Sequence, residues 1–470
     1  IYDILHSLFL GKKDCFFYSK LVSSFSLFVF VSVSYNQFVD IHFIGIGGIG
    51  ISALAQFCKN RGDTISGSES QQTGTFELLQ NQGIEIKIPQ QAKNIPLNCD
   101  LVIYTEAIGE DNPERVEALK RNLPIKTYFE FLGEISKDFH TIAVTGTHGK
   151  TTTTGLIAAG FKTAHFDATI FVGSKLQELG NANFHAGSND FLLLEACEYR
   201  ANFRFLYPEI VILTNAELDH VDFYKNEEHY IETFTEFCAK AKTVIYHKDD
   251  KNAQIILKNF TGQKIAVDSN DPSFKTSKKK LHLSGEHNRE NAILALSCAQ
   301  LLFEKEDAQM NQFKKGLEKF SGAWRRQEFL GEKEINNKKI QVFDDYGHHP
   351  TEIIATLQGL REKFPNKKIG LIFEPHQYSR TRKFFDEFLT ALAHADFIGI
   401  FPIYAARDTQ ADKQSVCIDN FCEKNPAIQK IETQKDAQLF TQKLNENDIL
   451  LFMGAGVIDV FAHEFLRKSG

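Results

Sequence analysis

Residues 140–155 read HTIAVTGTHGKTTTTG, and this stretch decides the fold. The apolar run that follows His140 predicts a buried strand, and the threonine-rich run from Thr151 opens a predicted helix. The glycine turn between them offers backbone N–H groups to phosphate, a lysine to neutralise its charge and a hydroxyl for Mg²⁺. The turn is shorter than the usual G-x-x-x-x-G-K-[ST] pattern because Val144 stands where that pattern begins. We expect ATP to contact Gly146, Thr147, His148, Gly149, Lys150, Thr151 and Thr152.

A second glycine turn lies upstream, at residues 45–50, with the sequence GIGGIG. It follows an apolar strand and precedes a predicted helix that ends on Gly62. Glycines in such a turn let the backbone approach a pyrophosphate, which the helix N-terminus stabilises. Glu69 lies 24 residues after Gly45, close to where a ribose-binding acid belongs. Three interpretations stay open: a site for NAD, a site for another nucleotide diphosphate, or a tight turn without ligand.

Strands and helices alternate on both sides of these turns, which predicts βαβ units, parallel sheets and an α/β fold. The polar segment Lys248–Lys280 predicts loops and edge strands, and residues 285–303 predict an amphipathic helix. The remaining predicted strands are DTISGS, DLVIYTEA and LPIKTY before residue 139, FLLLEACE and EIVILTNAE in the middle, and KKIQVFDD, KKIGLIFEP, ADFIGIFPI and DILLFMGAG after residue 323.

The length of 470 residues predicts roughly three domains. The first βα section closes near Asp138, and a third begins after residue 323. The predicted division is an extension over 1–37 and domains over 38–139, 140–323 and 324–470.

The composition excludes several classes of protein. Hydrophobic residues make up 43% and charged residues 24%, which is not the balance of a disordered, collagen-like or coiled-coil chain. The net charge of −7 is not concentrated in any tail, so the basic surface that nucleic acid requires is missing and we expect no nucleic-acid partner. The eight scattered cysteines indicate free thiols in a reducing compartment, the cytoplasm.

The first 37 residues differ from the rest. Residues 21–35 are apolar and serine-rich, too short for a comfortable membrane span, and no A-x-A-like cleavage site follows. The segment also starts with Ile1 rather than Met. We interpret it as a mis-called extension, with an added strand or helix and a targeting signal as alternatives, and we expect no stable membrane association.

Two charged positions follow buried strands of the middle section. Glu195 ends the run FLLLE, and Asp219 and His220 come after the next strand. Ligands of open α/β sheets bind at the carboxyl ends of strands, and Mg²⁺ prefers oxygen ligands beside phosphates. We expect Thr151, Glu195 and His220 to hold Mg²⁺, although Asp219 and His220 could instead only cap their loop.

The last section carries polar clusters after its strands. Asp345 and His348 follow one strand, and His376 and Arg380 follow the next. Arginine suits carboxylate or phosphate because it offers bidentate hydrogen bonds. The alternative for this cluster, and for Arg326, is a solvated basic surface.

Ten segments in order resemble the Mur ligase family of peptidoglycan synthesis, from about Phe38 to the C-terminus. The GIGGIG turn and DDYGHHP favour the member that adds the first amino acid, with UDP-N-acetylmuramate and L-alanine as substrates. A related ligase that recycles murein tripeptide is the alternative within the family. The segments are IHFIGIGGIGISALA, AVTGTHGKTTTT, LEACEYR, TNAELDHVDFY, GEHNRENA, WRRQE, DDYGHHPTEI, PHQYSRT, IYAARD and MGAG.

The resemblance implies a Rossmann-like N-terminal domain for the UDP-sugar, a central P-loop ATPase domain with a mostly parallel sheet, and a Rossmann-like C-terminal domain that contacts the amino acid and ATP. The resemblance further implies ATP with Mg²⁺ as the cosubstrate and an acyl phosphate as the intermediate. The first glycine turn would then hold the UDP-sugar rather than NAD, through Gly45, Gly47, Gly48, Gly50 and Glu69.

The resemblance also implies roles for single residues. Lys150, Glu195, His220, His348 and Arg380 would be catalytic, with His348 as the candidate base. His287, Asn288, Asn291, Arg326 and Asp345 would contact ATP, and Tyr346, His376 and Arg380 would bind the amino acid. Two other classes compete: an NAD-dependent oxidoreductase leaves the lysine turn and Glu195 unexplained, and a non-catalytic nucleotide-binding regulator would not need the metal-binding residues.

Overall fold

The computed structural model describes residues 39–271, 281–406 and 408–467, so the extension over 1–37 lies outside the described residues. Three sheets follow one another along the chain. We call the parts built on them the N-terminal, central and C-terminal domains. Each sheet is wholly or mostly parallel and is flanked by helices, which confirms the predicted α/β class.

The N-terminal domain has a five-stranded, fully parallel sheet. Its strands are β1 Asp40–Ile44, β2 Thr64–Ser68, β3 Glu85–Lys87, β4 Leu101–Tyr104 and β5 Ile125–Thr127, and its helices are α1 Ile49–Arg61, α2 Phe76–Asn81, α3 Pro113–Lys120 and α4 Tyr128–Ser136, with a 3₁₀ turn Ala92–Asn94. The strand order β3-β2-β1-β4-β5 reverses direction between β1 and β4. A ligand crevice is expected at such a reversal.

The central domain has a seven-stranded sheet. Its strands are β6 His140–Thr145, β7 Thr169–Leu176, β8 Ala182–His185, β9 Phe191–Glu195, β10 Ile210–Leu213, β11 Thr243–His247 and β12 Gln263–Val267, its helices are α5 Lys150–Thr163, α6 Glu227–Cys238, α7 Lys251–Ile256, α8 Glu286–Leu302 and α9 Asp307–Lys319, and its 3₁₀ segments are Gln177–Leu179 and Tyr199–Phe205. The order is β12-β11-β10-β6-β9-β7-β8, with only β8 antiparallel to its neighbour. The carboxyl ends of β6, β9 and β10 are therefore adjacent.

The C-terminal domain has a six-stranded sheet. Its strands are β13 Glu328–Ile335, β14 Lys338–Asp345, β15 Ile369–Phe373, β16 Phe397–Ile400, β17 Gln429–Lys430 and β18 Ile449–Met453, and its helices are α10 Pro350–Lys363, α11 Tyr378–Lys383, α12 Phe385–Leu392, α13 Gln410–Lys413, α14 Ile418–Lys424, α15 Gln434–Thr441 and α16 Ile458–Arg467. The order is β13-β14-β18-β15-β16-β17, and only the β13–β14 pair is antiparallel. The ends of β14 and β15 thus lie on either side of β18.

The N-terminal domain is joined to the central domain by a buried interface. Helix α1 packs against β7 and β8, and the Phe57 ring contacts those of Phe171 and Phe184. The Gln56 amide donates to Asn183 Oδ1 at 2.8 Å, and Asn183 Nδ2 donates to Ser52 Oγ at 2.9 Å. Apolar packing and satisfied amides together make this a firm attachment.

Three elements of the central domain depart from the predictions. Lys248–Lys280 was predicted as loops and edge strands; β12 is an edge strand, but Lys251–Ile256 is a helix. The Asp250 side chain caps that helix by accepting from the Ala253 N–H at 2.9 Å. The strands β7 and β8 were also not predicted. In the case of β8 the reason is that it is a four-residue edge strand without an apolar run.

The described part of the chain shows the state of its cysteines and whether its helices could span a membrane. Its seven cysteines are free thiols, and Cys15 lies outside it. None of the helices in residues 39–467 that the structure describes has the length and apolar content needed to cross a bilayer.

Close packing of α5 on α9 supports the phosphate-binding turn from behind. Gly160 in α5 faces the fully buried Phe313 ring of α9, and a Cβ at Gly160 would clash with it. We predict that Gly160→Ala lowers the free energy of unfolding by about 1–3 kcal/mol, because overpacking outweighs the gain in helix propensity. Thermal unfolding measures it. Gly74→Ala is the control, since the only atom of the described residues, its chain neighbours aside, within 4 Å of a Cβ there is Lys175 Nζ, at the ordinary contact distance of 3.9 Å. Equal melting temperatures for both variants would contradict the prediction.

Candidate active site

The site lies where the central and C-terminal domains meet. Two adjoining cavities, of about 260 and 310 Å³, share His148, Arg326 and Glu352 in their walls. The first extends toward α8, and the second toward the ends of β9 and β15. Side chains from both domains therefore surround one continuous region, and Ile49 of the N-terminal domain also lines the second cavity.

The glycine turn after β6 has the predicted strand–turn–helix geometry. Gly146 and Gly149 have φ values of 133° and 82°, which side-chain-bearing residues rarely adopt. A Cβ on Gly149 would also clash with the Asn291 side-chain oxygen of α8. Helix α5 begins at Lys150, so its N-terminal amides face the cavities and can bind an anion.

Lys150 is mostly buried and is held by an anion that was not among the predicted site residues. Its Nζ donates to the carbonyl oxygens of Gly146 and Thr147, at 2.5 and 3.0 Å, and lies 2.9 Å from Glu198 Oε2. Burial would lower the pKa of Lys150, but the charge of Glu198 outweighs it and the pKa is raised. The lysine is therefore a fixed cation at the phosphate turn.

Two of the three predicted metal ligands are in direct contact. The Thr151 hydroxyl donates to Glu195 Oε2 at 3.0 Å, and the Gly173 N–H donates to Oε1 at 2.6 Å. Burial raises the pKa of Glu195. The third ligand, His220, instead lies with its Nε2 3.3 Å from Glu198 Oε1.

Glu198 thus bridges Lys150 and His220 in the central domain. It is 1% exposed, and although burial favours its neutral form, Lys150 and His220 lower its pKa. The signal in the sequence was its position three residues after Glu195 in LEACEYR. Glu198 was overlooked because a single carboxylate on a loop does not reveal which cations it will meet.

Several of the residues expected to contact ATP line one cavity together. The walls of the 260 Å³ cavity include Gly149, Thr152, His287, Asn288, Asn291, Arg326 and Asp345. Burial, with the charges of Arg289 and Arg326, lowers the pKa of His287 to about 4, so its ring is neutral at pH 7. Asp345 accepts from the Gln327 and Gly347 N–H groups at 2.9 and 2.7 Å, and burial raises its pKa.

The predicted amino-acid residues gather in the second cavity. Tyr346, His348, His376 and Arg380 all line it, and the rings of His348 and His376 lie 5.6 Å apart between centroids. Arg380 is 2% exposed and forms a bidentate pair with Asp219 of the central domain, at 3.0 and 3.2 Å. Asp219 therefore does not only cap its own loop, which was the alternative to a functional role, because it also binds Arg380 of the other domain.

A histidine pair with a glutamate lies at the domain boundary. One potential ligand atom from each of His148, Glu217 and His349 lies within 4.8 Å of the others. His349 Nδ1 accepts the Thr351 N–H at 3.4 Å, which leaves the proton of its neutral ring on Nε2. His148 lies between Glu217 and Glu352, at 3.1 and 3.4 Å, which favours its protonated form. This arrangement fits an ion-paired contact between domains rather than a metal site.

Backbone strain is concentrated in the loops of the site. His220, Arg325, Gln327 and Gln377 have φ values of 51°, 58°, 49° and 71°. Residues other than glycine adopt this region at a cost, and such residues cluster at functional sites. Arg325 and Gln327 share one loop, so the fold holds three loops of the site in defined conformations.

The first glycine turn lines a separate cavity of about 580 Å³ at the β1–β4 reversal of the N-terminal sheet. Gly45, Gly47, Gly48 and Glu69 are in its wall. Gly50 is not in that wall; it lies in the first turn of α1, where a Cβ would approach the Tyr128 ring at 3.1 Å. The Glu69 carboxylate accepts the Gly47 N–H at 3.0 Å, so it braces the turn itself.

Comparison with family models covers all three domains. Residues 40–140 match the model described as Mur ligase family, catalytic domain. Residues 144–299 match the Mur ligase middle domain, and residues 325–456 match the Mur ligase, glutamate ligase domain.

Individual relatives agree with these matches. The chain is 37% identical to the UDP-N-acetylmuramate–L-alanine ligase of Clostridium acetobutylicum, over 91% of this chain and 97% of the relative. It is 33% identical to the enzyme of the same name from Aquifex aeolicus, over 91% and 97%. A crystal structure of UDP-N-acetylmuramate-alanine ligase from Thermotoga maritima superposes with a TM-score of 0.73 and 28% identity, covering 91% of this chain and 98% of that one. A murein peptide ligase from Psychrobacter arcticus, at 23% identity and a TM-score of 0.67 over 91% and 98%, shares the fold.

The environment of His148 predicts a pH-dependent stability. Burial would lower its pKa, but hydrogen bonds with Glu217 and Glu352 raise it to about 9. Because the pKa is higher in the folded protein than the ordinary value of about 6.5, protonation of His148 stabilises the fold. This stabilisation is complete below about pH 6.5 and is lost as the pH rises toward 9. We predict that His148→Gln lowers the free energy of unfolding by at most about 3 kcal/mol at pH 6.5, and by a smaller amount at pH 9.

Thermal unfolding of the ligand-free protein across this pH range measures that difference. The control is His394→Gln, which removes an exposed ring from the C-terminal domain. A gap between wild type and His148→Gln that stays constant with pH would exclude the ion-paired imidazolium.

Proposed function

The chain belongs to the Mur ligase family, and on that premise we propose that it joins L-alanine to the carboxylate of UDP-N-acetylmuramate at the expense of ATP. The observation that carries the proposal is the placement of a P-loop lysine and a buried arginine on one cavity, since Lys150 and Arg380 both line it. Lysine at the turn suits a phosphoryl group, and arginine suits an amino-acid carboxylate. Relatives at 33% and 37% identity are named for the same activity.

Each substrate has a cavity of fitting chemistry. The UDP-sugar would bind at the N-terminal turn, through Gly45, Gly47, Gly48 and Glu69. ATP would place its phosphates on the P-loop and its adenine near His287 and the two asparagines of α8. L-alanine would bind among Tyr346, His348, His376 and Arg380.

Mg²⁺ is the metal that these residues fit. The Thr151 hydroxyl and Glu195 carboxylate are hard oxygen donors 3.0 Å apart beside the phosphate turn. His220 is a less usual ligand, but its buried Nδ1 has no hydrogen-bond partner within the part of the chain that the structure describes. When bound, Mg²⁺ would offset the negative charge of the phosphates.

The reaction would proceed in two steps. A muramyl carboxylate oxygen bonds to the γ-phosphorus of ATP, the bond to the β-phosphate oxygen breaks, and ADP and an acyl phosphate result. The neutral alanine nitrogen then bonds to the acyl carbon and loses a further proton, phosphate departs with the C–O electron pair, and an amide remains. Phosphorylation is needed because an unmodified carboxylate oxygen is a poor leaving group.

The residues would contribute charge, orientation and a proton acceptor. Lys150 would stabilise charge on the transferred phosphoryl group, and Arg380 would orient alanine. Burial lowers the pKa of His348 to about 4, which leaves its ring neutral at pH 7 and free to accept the ammonium proton. The negative charge of bound phosphate would raise this pKa and strengthen the base. Since ATP is supplied by the cytoplasm, we place the reaction there.

The test is phosphate release from ATP in the presence of UDP-N-acetylmuramate, with and without L-alanine. We predict release that requires both acceptor and amino acid, and a UDP-N-acetylmuramyl-alanine product detected by mass spectrometry. Release with murein tripeptide but not with alanine would select the recycling ligase. No release with either amino component would exclude ligation and favour a binding function.

The separation of the cavities predicts a selective effect of Lys150→Ala. The variant should lose at least 100-fold in phosphate release, because one fixed cation on the transferred group is typically worth this much. Its affinity for UDP-N-acetylmuramate, measured by calorimetry, should stay within twofold of wild type, since residues of the N-terminal domain line that cavity. Lys162→Ala, exposed on the same helix, is the matched control. Loss of both properties would refute this division of roles.

A further inference from the structure

The proposed chemistry uses Arg380 but gives no task to the carboxylate that holds it. Asp219 follows β10 in the central domain and is 4% exposed, whereas Arg380 lies in α11 of the C-terminal domain. Burial alone would raise the pKa of Asp219, but the charge of Arg380 lowers it well below the usual range. The pair is thus a charged contact between two domains inside the site.

The contact occupies one particular edge of the guanidinium group. Arg380 Nε donates to Asp219 Oδ1 at 3.0 Å, and Nη2 donates to Oδ2 at 3.2 Å. A guanidinium group carries five N–H bonds in one plane, so this side-on pair leaves both Nη1 hydrogens and one on Nη2. One Nη1 hydrogen and the free Nη2 hydrogen form the end-on edge, which has its own bidentate geometry for a carboxylate, and the second Nη1 hydrogen points back toward the side-chain stem.

The remaining edge is also fixed in place. Nη1 lies 3.3 Å from His376 Nδ1 and 3.4 Å from the His376 carbonyl oxygen. His376 is in turn stacked on Tyr404, with ring centroids 5.5 Å apart and planes 15° apart. Contacts on two sides therefore set the plane of the Arg380 guanidinium.

We propose that Asp219 is a positioning residue for the amino-acid substrate: it binds the side-on edge of Arg380 and so directs the end-on edge toward the substrate carboxylate. The inference rests on the proposed function and extends it, because it assigns part of amino-acid recognition to the central domain. Arg380 can take this pose only when the C-terminal domain lies against the loop that carries Asp219. Amino-acid binding is thereby linked to the meeting of the two domains.

A competing role for Asp219 makes the opposite prediction. If Asp219 only occupied the place of the substrate carboxylate, removing its charge would free Arg380 and lower the KM for alanine. If it positions Arg380, removing the pair lets the long side chain adopt other rotamers, and the KM rises. The sign of the change separates the two roles.

The experiment compares wild type with Asp219→Asn in the full chain, in the phosphate-release assay. Asparagine keeps the shape but offers one acceptor oxygen instead of two and no charge. We expect the KM for L-alanine to rise at least tenfold, while kcat at saturating alanine and the KM values for ATP and UDP-N-acetylmuramate change less than threefold. Asp222→Asn, an exposed change in the same loop, should leave all four values as in wild type.

L-alaninamide supplies a readout that a merely structural role would not move. It lacks the carboxylate, so the preference for alanine over alaninamide in kcat/KM should fall at least fivefold in Asp219→Asn. An equal loss on both compounds, or a lower KM for alanine, would overturn the inference.

A second variant and the wild-type control complete the test. Asp219→Glu keeps the charge but moves the carboxylate by one methylene, and positioning predicts a raised KM for alanine here as well; a wild-type KM would overturn it. Thermal unfolding shows whether each variant is folded.

The wild-type result separates failure of the proposed function from failure of the inference. If wild type itself releases no phosphate with L-alanine, the proposed function has failed and the inference falls with it. If wild type is active and the KM for alanine is unchanged in Asp219→Asn, the inference alone is refuted.

Discussion

A cation at the end of a buried strand requires an anion, and this requirement organises the site. Lys150 follows the carboxyl end of β6 with its side chain only 17% exposed, and an unpaired ammonium there would be costly. Glu198 supplies the charge in the ligand-free protein and also contacts His220. A phosphate group that enters the turn meets a lysine whose charge and position are already set, so little reorganisation is needed when it binds.

Much of this arrangement was predictable from local sequence. The strand–turn–helix around Gly146–Thr151 and the strand that ends on Glu195 follow from apolar runs and glycines, which act within a few residues. Because parallel strands present their carboxyl ends at one edge, the prediction that Thr151 and Glu195 meet needed only the order of the strands. Helix α10 begins at Pro350, as expected from the fixed φ of proline.

The pairings between domains were not predictable in the same way. Glu352 reaching His148, Asp219 reaching Arg380 and Glu217 accepting from Thr351 all depend on how two separately folded domains dock. No periodicity in the chain encodes that docking. Gly50 illustrates the converse: the motif suggested ligand contact, but its lack of a side chain is explained by the nearby Tyr128 ring. A glycine motif specifies backbone shape, and the surroundings decide what uses it.

The two domain interfaces differ in chemistry, and ionic strength should therefore act on them unequally. The contact of α1 with β7 and β8 is made of aromatic rings and paired amides, which dissolved salt hardly affects. The contact of the C-terminal domain relies on ion pairs, and one of them, Arg289 with Glu362, is partly exposed and open to screening. Electrolyte should therefore weaken mainly the contact between the central and C-terminal domains. The protein therefore has one domain interface that is insensitive to ions and a second whose strength depends on the salt concentration.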